Sequence, residues 1–177
     1  FDHDLLEDKT KIKRTSEHEQ LFIETAFYLT FTGAIVVKRS CWNEREYKKY
    51  IGCEFLEVGV LFHQELPEGT IAIAEPLITI RYGNAEWTPR AFEIWMIRFP
   101  EVIWGLSNFS ESVKTKVCLK EPWMYINQLI KKRATANYDL KTYKKWVKPR
   151  ITSHQYRFQA WFIAVFPRIV INLTAFI

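Results

Sequence analysis

The spacing of apolar residues predicts a mixture of strands and helices at first and helices afterwards. The run TGAIVV at 32–37 is short, apolar and β-branched, which is typical of a buried strand. Shorter apolar runs at 70–74 and 77–80 predict two more strands, separated by Pro76. Residues 55–62 fit either state: apolar residues at 55, 58 and 61 suit a helix, whereas the Val-Gly-Val centre favours β structure.

Helix signals are clearest where apolar residues recur every three or four positions. Residues 16–19 resemble a capping box and predict a helix that continues into the apolar positions 21–23. Residues 42–47 predict a short helix. Four apolar residues at i, i+3, i+4 and i+7 predict an amphipathic helix over 90–99, stopped by Pro100.

Two further helices are predicted before the last segment. Pro122 suits the first position of a helix whose apolar face contains Ile126 and Leu129, and the basic residues 131–133 suit its negative end. Asp139 is a candidate cap for another helix that reaches Trp146.

The last segment, FQAWFIAVFPRIVINLTAFI at 158–177, is the most apolar stretch of the chain. Twenty residues would just cross a bilayer as a helix, but Pro167 and Arg168 lie at its middle, where Arg is costly. A helix lying in the membrane interface avoids that cost, because Arg168 can then extend to the headgroups. A buried core helix and a true span are the alternatives.

Composition places the chain among folded proteins. Its 177 residues are 48% apolar and include seven Trp, eight Tyr and thirteen Phe, which excludes a disordered tail. So many aromatics suit a core, and also a surface that meets sugars or a membrane interface. The three cysteines are an odd number and have no Cys-x-x-Cys spacing, which favours a reducing, cytoplasmic compartment over a disulfide framework or a structural zinc site.

Charge is distributed unevenly. From Lys131 onward there are ten Lys or Arg and one acid, a net charge of +9, whereas the first 130 residues carry 15 bases and 19 acids, a net charge of −4. A basic terminus on a mildly acidic body fits an anionic membrane surface. It argues against a nucleic-acid-binding domain, whose whole face would be cationic.

Candidate catalytic chemistry is sparse. The four histidines are scattered singly, so a zinc hydrolase has little support. The triplet Asp2-His3-Asp4 could bind a hard divalent cation, but it supplies few of the oxygen ligands that such an ion needs. Glu54 follows a glycine and precedes an apolar run, where partial desolvation would raise its pKa toward that of a general base. An ordinary helix N-terminal Glu is the alternative.

Four motifs in order resemble the C-terminal half of family-2 glycosyltransferases, closest to the bacterial abequosyltransferase and capsular or O-antigen type. The resemblance runs from about residue 30 to the end of the chain. Its motifs are GAIVVKR at 33–39 followed by Trp42, YIGCEF at 50–55, RYGNAEW at 81–87 and KEPW at 120–123.

The resemblance implies an α/β fold: the C-terminal part of a GT-A, Rossmann-like glycosyltransferase domain with a helical, membrane-associating C-terminus. It divides the chain into a partial GT-A domain at 1–130, whose donor-binding part would lie upstream, and a basic helical membrane-interface region at 131–177. It also implies a Mg or Mn cofactor whose ligands lie upstream of this chain. The implied location is peripheral, on the cytoplasmic face of the inner membrane.

The same resemblance assigns roles to individual residues. Glu54 matches the acidic base beside the acceptor, with Glu57 as the rival. Arg81, Asn84 and Trp87 match the Arg-x-Gly-Asn-x-x-Trp loop, in which Arg81 would stabilise the departing diphosphate. The remaining substrate-binding candidates are Trp42 and Arg39.

The expected function is the inverting transfer of a sugar from a nucleotide-sugar donor to a polysaccharide or lipid-linked acceptor. The acceptor hydroxyl must lose a proton as it attacks, which requires a base such as a carboxylate. The alternative is a non-catalytic module that binds a membrane surface through its basic helices and residues 158–177. Nucleic-acid binding fits least, because the positive charge is confined to the C-terminal part.

Overall fold

The chain folds mainly as helices. The computed structural model describes residues 12–14, 18–67, 70–73, 75, 77–79 and 87–175. Helix accounts for 66% of the structure. The strands among the described residues are β1 (Ile12–Arg14) and β2 (Ile71–Ile73), which pair antiparallel with Ile12 opposite Ile73. The prediction of an α/β, Rossmann-like GT-A fold is therefore wrong.

The apolar runs that predicted strands explain the error. Residues 32–34 form a 3₁₀ turn (Thr32–Ala34), and the extended residues that follow are not buried, with Val36 fully exposed at 103%. Of the three runs that predicted strands, only the run at 70–74 contains one, Ile71–Ile73. Residues 77–79 lie outside any strand. A β-branched run becomes a strand only where a partner strand accepts its hydrogen bonds, so composition alone could not decide these segments.

The described chain separates into two compact units. The first contains residues 1–84 and 102–118, and the second contains residues 85–101 and 119–177. This division does not test the expected boundary between a partial transferase domain at 1–130 and a basic region at 131–177, which stays a prediction.

The first unit is built from short helices. They are α1 (His18–Thr25), α2 (Arg39–Asn43) and α3 (Leu56–Phe62), with 3₁₀ turns at Tyr28–Thr30 and Tyr47–Tyr50. The structure thus resolves the ambiguity at 55–62 as a helix. The helix predicted over 42–47 is displaced toward the N-terminus, and the helix predicted after 16–19 is confirmed. Helix α6 (Glu111–Val117) completes the described helices confined to this unit.

Aromatic rings form the centre of the first unit. Phe22 of α1 stacks on Phe109 with ring centroids 4.0 Å apart, and it meets Phe62 of α3 edge-on at 5.0 Å. Ring pairs of this geometry are favourable beyond the area that they bury. The three rings hold α1 and α3 to the loop before α6.

A long helical stretch follows the 3₁₀ turn at Thr88–Arg90. It consists of α4 (Ala91–Glu93), a π-helical turn (Ile94–Arg98) and α5 (Phe99–Gly105). The predicted stop at Pro100 is wrong. Proline has no N–H to donate, and the π turn, in which Phe99 N–H bonds Ile94 O, shifts the hydrogen bonds so that the helix continues past it.

The rest of the second unit is also helical, as predicted. Pro122 begins a 3₁₀ turn (Pro122–Met124), which leads into α7 (Ile126–Ala134) with three basic residues in its last turn. Asp139 caps α8 (Leu140–Thr142), which continues as a π turn (Tyr143–Val147) and a 3₁₀ turn (Lys148–Arg150). Two helices end the described chain: α9 (His154–Val165) and α10 (Arg168–Ala175).

Tyr138 lies at the centre of the second unit. It is fully buried, stacks on Phe92 with centroids 5.3 Å apart, and donates its hydroxyl to Ala160 O of α9 at 3.0 Å. The hydroxyl therefore satisfies its hydrogen-bonding need inside an apolar core. The surrounding core includes Ile97, Leu129, Val147, Ile151, Ile163 and Ile171.

Candidate functional site

Glu54, the predicted base, lies on a turn before α3. Gly52 has a φ of +83°, a left-handed conformation that glycine adopts readily, and Cys53 N–H closes the turn on Tyr50 O at 3.0 Å. The Glu54 side chain is exposed, so the partial desolvation expected for it is not observed. Its rival Glu57 is half-buried and accepts a hydrogen bond from Thr32 Oγ1 at 2.9 Å.

Arg39 and Trp42 lie on α2, in the same unit as Glu54. Arg39 is exposed at the first position of the helix, and Trp42 is half-buried one turn later. Nearby, Arg45 is almost completely buried and donates to the carbonyls at the end of α3, including Leu61 O at 2.8 Å. Sequence reasoning missed this arginine because only the tertiary contact distinguishes it from its exposed neighbours.

The predicted Arg-x-Gly-Asn-x-x-Trp loop is only partly described. Arg81 and Asn84 lie outside the described residues, so their proposed roles stay predictions. Trp87 is described, belongs to the second unit, is 48% exposed, and meets Trp95 edge-on with centroids 6.3 Å apart. Glu54, Arg39 and Trp42 belong to the first unit.

The described residues do not fit the implied Mg or Mn ion. Such an ion takes about six oxygen ligands. No group of three or more His, Cys, Asp or Glu able to hold a metal occurs among residues 18–67 and 87–175. Asp2 and Asp4 lie outside the described residues, and the expected upstream ligands stay a prediction.

The most distinct surface feature of the second unit is an apolar face on α9 and the start of α10. We call it the apolar face, and it comprises six exposed residues: Phe158, Trp161, Phe162, Val165, Ile169 and Val170. The first four follow i, i+3, i+4, i+7 spacing, which places them on one side of α9. Phe158 lies 5.7 Å from Trp161 and 6.5 Å from Phe162 between ring centroids, so the rings form a continuous ridge.

The opposite side of α9 faces the core, where Ala160, Ile163 and Ala164 are buried. The helix is therefore apolar on both sides, and its outward side presents aromatic rings to solvent. Ser153 caps its first turn by accepting a hydrogen bond from Tyr156 N–H at 3.4 Å.

The segment 158–177 is not one helix, because α9 ends at Val165 and α10 begins at Arg168. Pro167 cannot donate a backbone hydrogen bond and separates the two. No helix formed by the described residues has both the length and the apolar character needed to span a bilayer. Arg168 donates its Nε to Ala134 O of α7 at 2.9 Å, an internal contact that the sequence did not predict.

The apolar residues at 158, 161, 162 and 165 are the feature of the sequence that indicates where the apolar face lies. The segment predicted to lie in a membrane interface contains this face, and its interfacial role stays a prediction. Its outward and inward sides could not be distinguished from the sequence, since nearly every position is apolar. The chain matches no family model, no curated protein and no solved structure.

Proposed function

We propose that this chain binds a membrane surface peripherally through the apolar face on α9 and α10. The observation that carries the proposal is the ridge of exposed rings at Phe158, Trp161 and Phe162, continued by exposed aliphatic residues. Contiguous apolar patches are uncommon on monomeric proteins and usually mark a surface that meets another phase or molecule.

Composition favours a membrane as the occupant of this face. Trp and Phe beside aliphatic residues are the side chains that enter the boundary between headgroups and acyl chains, to a depth of about 5–10 Å. Residues 131–177 carry a net charge of +9, which complements an anionic bilayer. The two helices are too short to span a bilayer but long enough to lie along its surface.

Vesicle flotation tests the proposal. A triple variant should partition onto vesicles about tenfold more weakly for each ring removed, since burying such a side chain is worth roughly 1.5 kcal/mol or more. Its substitutions are Phe158→Ser, Trp161→Ser and Phe162→Ser. Val36→Ser with Ile51→Ser is the matched control, because both residues are exposed and apolar but lie in the first unit.

Two results would contradict this assignment. The first is a wild-type chain that stays at the bottom of the gradient with every vesicle. The second is a triple variant that floats as well as the wild type. If the triple variant instead changes the oligomeric state measured by light scattering while flotation is unchanged, the face contacts a second copy of the chain.

Glycosyl transfer is a second proposal, supported by the ordered motifs, one of which places Glu54 on the Gly52 turn. The two proposals are compatible, because an enzyme that acts on a lipid-linked acceptor must reach a membrane surface.

The test of glycosyl transfer is the transfer of labelled sugar from a panel of nucleotide-sugars to isolated membranes by the intact protein. Glu54→Gln should lower turnover by about 10²-fold or more, and Glu57→Gln serves as the matched comparison. Equal turnover in Glu54→Gln and wild type would remove Glu54 from the mechanism.

A further inference from the structure

The exposed side of α9 carries no formal charge at neutral pH. Besides the apolar face, its exposed residues are His154, Gln155 and Gln159. The one basic residue of this helix, Arg157, is half-buried, and its Nη2 donates to Ile151 O while its Nε is buried. This guanidinium is therefore bound within the protein and does not add charge to the apolar face.

The other basic residue of these two helices is Arg168, at the first position of α10. It donates Nε to Ala134 O of α7 at 2.9 Å and comes after the last residue of α9. Of the ten Lys and Arg residues from Lys131 onward, only Arg157 and Arg168 lie in α9 and α10, and the others precede them in sequence. The positive charge of residues 131–177 is thus concentrated in segments other than the two that form the apolar face.

An uncharged face enters a bilayer by a different balance of forces from a basic one. On a helix rich in Lys or Arg, attraction to anionic headgroups offsets the cost of parting them. Here the rings of Phe158, Trp161 and Phe162 must find room between headgroups, and burial of their apolar surface is what favours entry. Entry therefore costs least where headgroups are already spaced apart, as in a strongly curved bilayer or one that contains lipids with small headgroups.

We infer that the apolar face selects bilayers whose headgroups are loosely packed. This inference rests on the proposed membrane binding and names the kind of membrane that the face prefers. The net charge of +9 on residues 131–177 attracts the chain to an anionic surface whatever its packing, because such attraction acts over about a Debye length. The rings act only on contact, so they provide the discrimination between tight and loose packing.

Vesicles of one lipid composition and two sizes test the inference. Small sonicated and large extruded phosphatidylcholine vesicles present the same headgroup, but curvature spaces the headgroups of the small vesicles further apart. At equal accessible lipid, the wild-type chain should partition about tenfold more strongly onto the small vesicles, the difference expected when a tight surface admits one ring fewer. Large vesicles that contain diacylglycerol, which has almost no headgroup, should recover most of this difference.

A variant that adds charge tests the role of the uncharged side of α9. Gln155→Lys with Gln159→Lys should bind large phosphatidylglycerol vesicles more tightly and discriminate less between the two sizes, since each lysine near the surface adds attraction. The matched control is Gln20→Lys with Gln64→Lys, which adds the same charge at exposed glutamines of the first unit. An equal effect of both double variants would overturn the inference, because the gain would then follow from net charge alone.

Other outcomes separate this inference from the proposed function. Equal partitioning of the wild type onto small and large phosphatidylcholine vesicles would overturn the selection and leave the apolar face as the docking surface. A size preference that disappears at high salt would also overturn it, because the burial of rings does not depend on screening. Absence of binding to every vesicle would overturn both the inference and the proposed membrane binding.

Discussion

Arg133 and Phe166 connect the end of α7 to the turn between α9 and α10. The Arg133 guanidinium donates two hydrogen bonds to Phe166 O, from Nε at 3.1 Å and from Nη2 at 2.9 Å, and a third from Nη1 to Tyr138 O at 3.1 Å. Phe166 lies just before Pro167, where the chain passes from one helix of the apolar face to the next. One side chain therefore fixes the position of the turn.

Replacing Arg133 with Gln should destabilise the chain by about 2 kcal/mol, because three charge-assisted hydrogen bonds to carbonyls are lost. Arg133→Lys should recover only part of the loss, since an ammonium cannot reproduce the planar fork. Urea denaturation measures the free energy of unfolding. Lys131→Gln, which removes an exposed cation from the same turn, is the control. Equal stability of Arg133→Gln and Lys131→Gln would contradict the role of this connection.

Arg45 has a similar role in the first unit. It is 4% exposed and donates to Leu61 O and Glu65 O at 2.8 Å each, with longer bonds to the carbonyls of residues 60 and 64. These carbonyls lie at the end of α3 and beyond it, where helical partners are lacking. Arg45→Met should cost about 3 kcal/mol, because it leaves buried acceptors without donors. Thermal unfolding of Arg45→Met and of Arg39→Met, which replaces an exposed arginine on α2, measures the difference in melting temperature. A similar melting temperature for the two variants would contradict the role of Arg45.

His18 should make the stability of the first unit depend on pH. Burial lowers the pKa of His18, with Arg45 acting in the same direction and the charges of Glu65 and Glu19 opposing it. Its ring stacks on Phe109 with centroids 4.8 Å apart, and its Nε2 lies 3.2 Å from Asn108 Nδ2. The unfolded chain, whose His pKa is about 6.5, then binds more protons than the folded chain just below that pH.

The stability that His18 contributes is therefore complete above about pH 6.5 and declines as the pH falls toward its lowered folded pKa. Urea denaturation at about pH 7.5 and about pH 5.5 should show this decline in the wild type. The decline should be smaller in His18→Gln and unchanged in His154→Gln, whose histidine is exposed. An identical pH dependence in wild type and His18→Gln would contradict the assignment.

Asp139 caps α8 and should stabilise the second unit by about 1 kcal/mol. Its carboxylate accepts a hydrogen bond from Thr142 N–H at 2.7 Å, and this bond is the main reason that the pKa of Asp139 is lowered. Asp139→Ala should lose the stabilisation, and Asp139→Asn should keep most of it. Because the pKa of Asp139 in the folded chain is depressed, the extra stability that Asp139 gives over Asn is present at neutral pH. This extra stability is lost as the pH falls through that pKa. Equal unfolding free energies for Asp139→Ala and wild type at neutral pH would contradict the cap.

Local rules predicted the helical second part of the chain well. The cap at Asp139, the proline at 122 and the basic last turn of α7 each act through neighbours within one turn, so the sequence contains the whole interaction. The proline at 100 misled the prediction, because a π turn lets the helical course continue past it.

The sequence by itself determined where the apolar segments lie, which residues begin several helices, and that positive charge is concentrated after residue 130. Tertiary structure decided that the runs at 32–37 and 77–79 are not strands, since a strand depends on hydrogen bonds from a distant partner. It also decided that Phe158, Trp161 and Phe162 face outward and that Arg133 bonds the carbonyl of Phe166. These relationships follow from which side of each helix the core covers, and that depends on contacts between residues far apart in sequence.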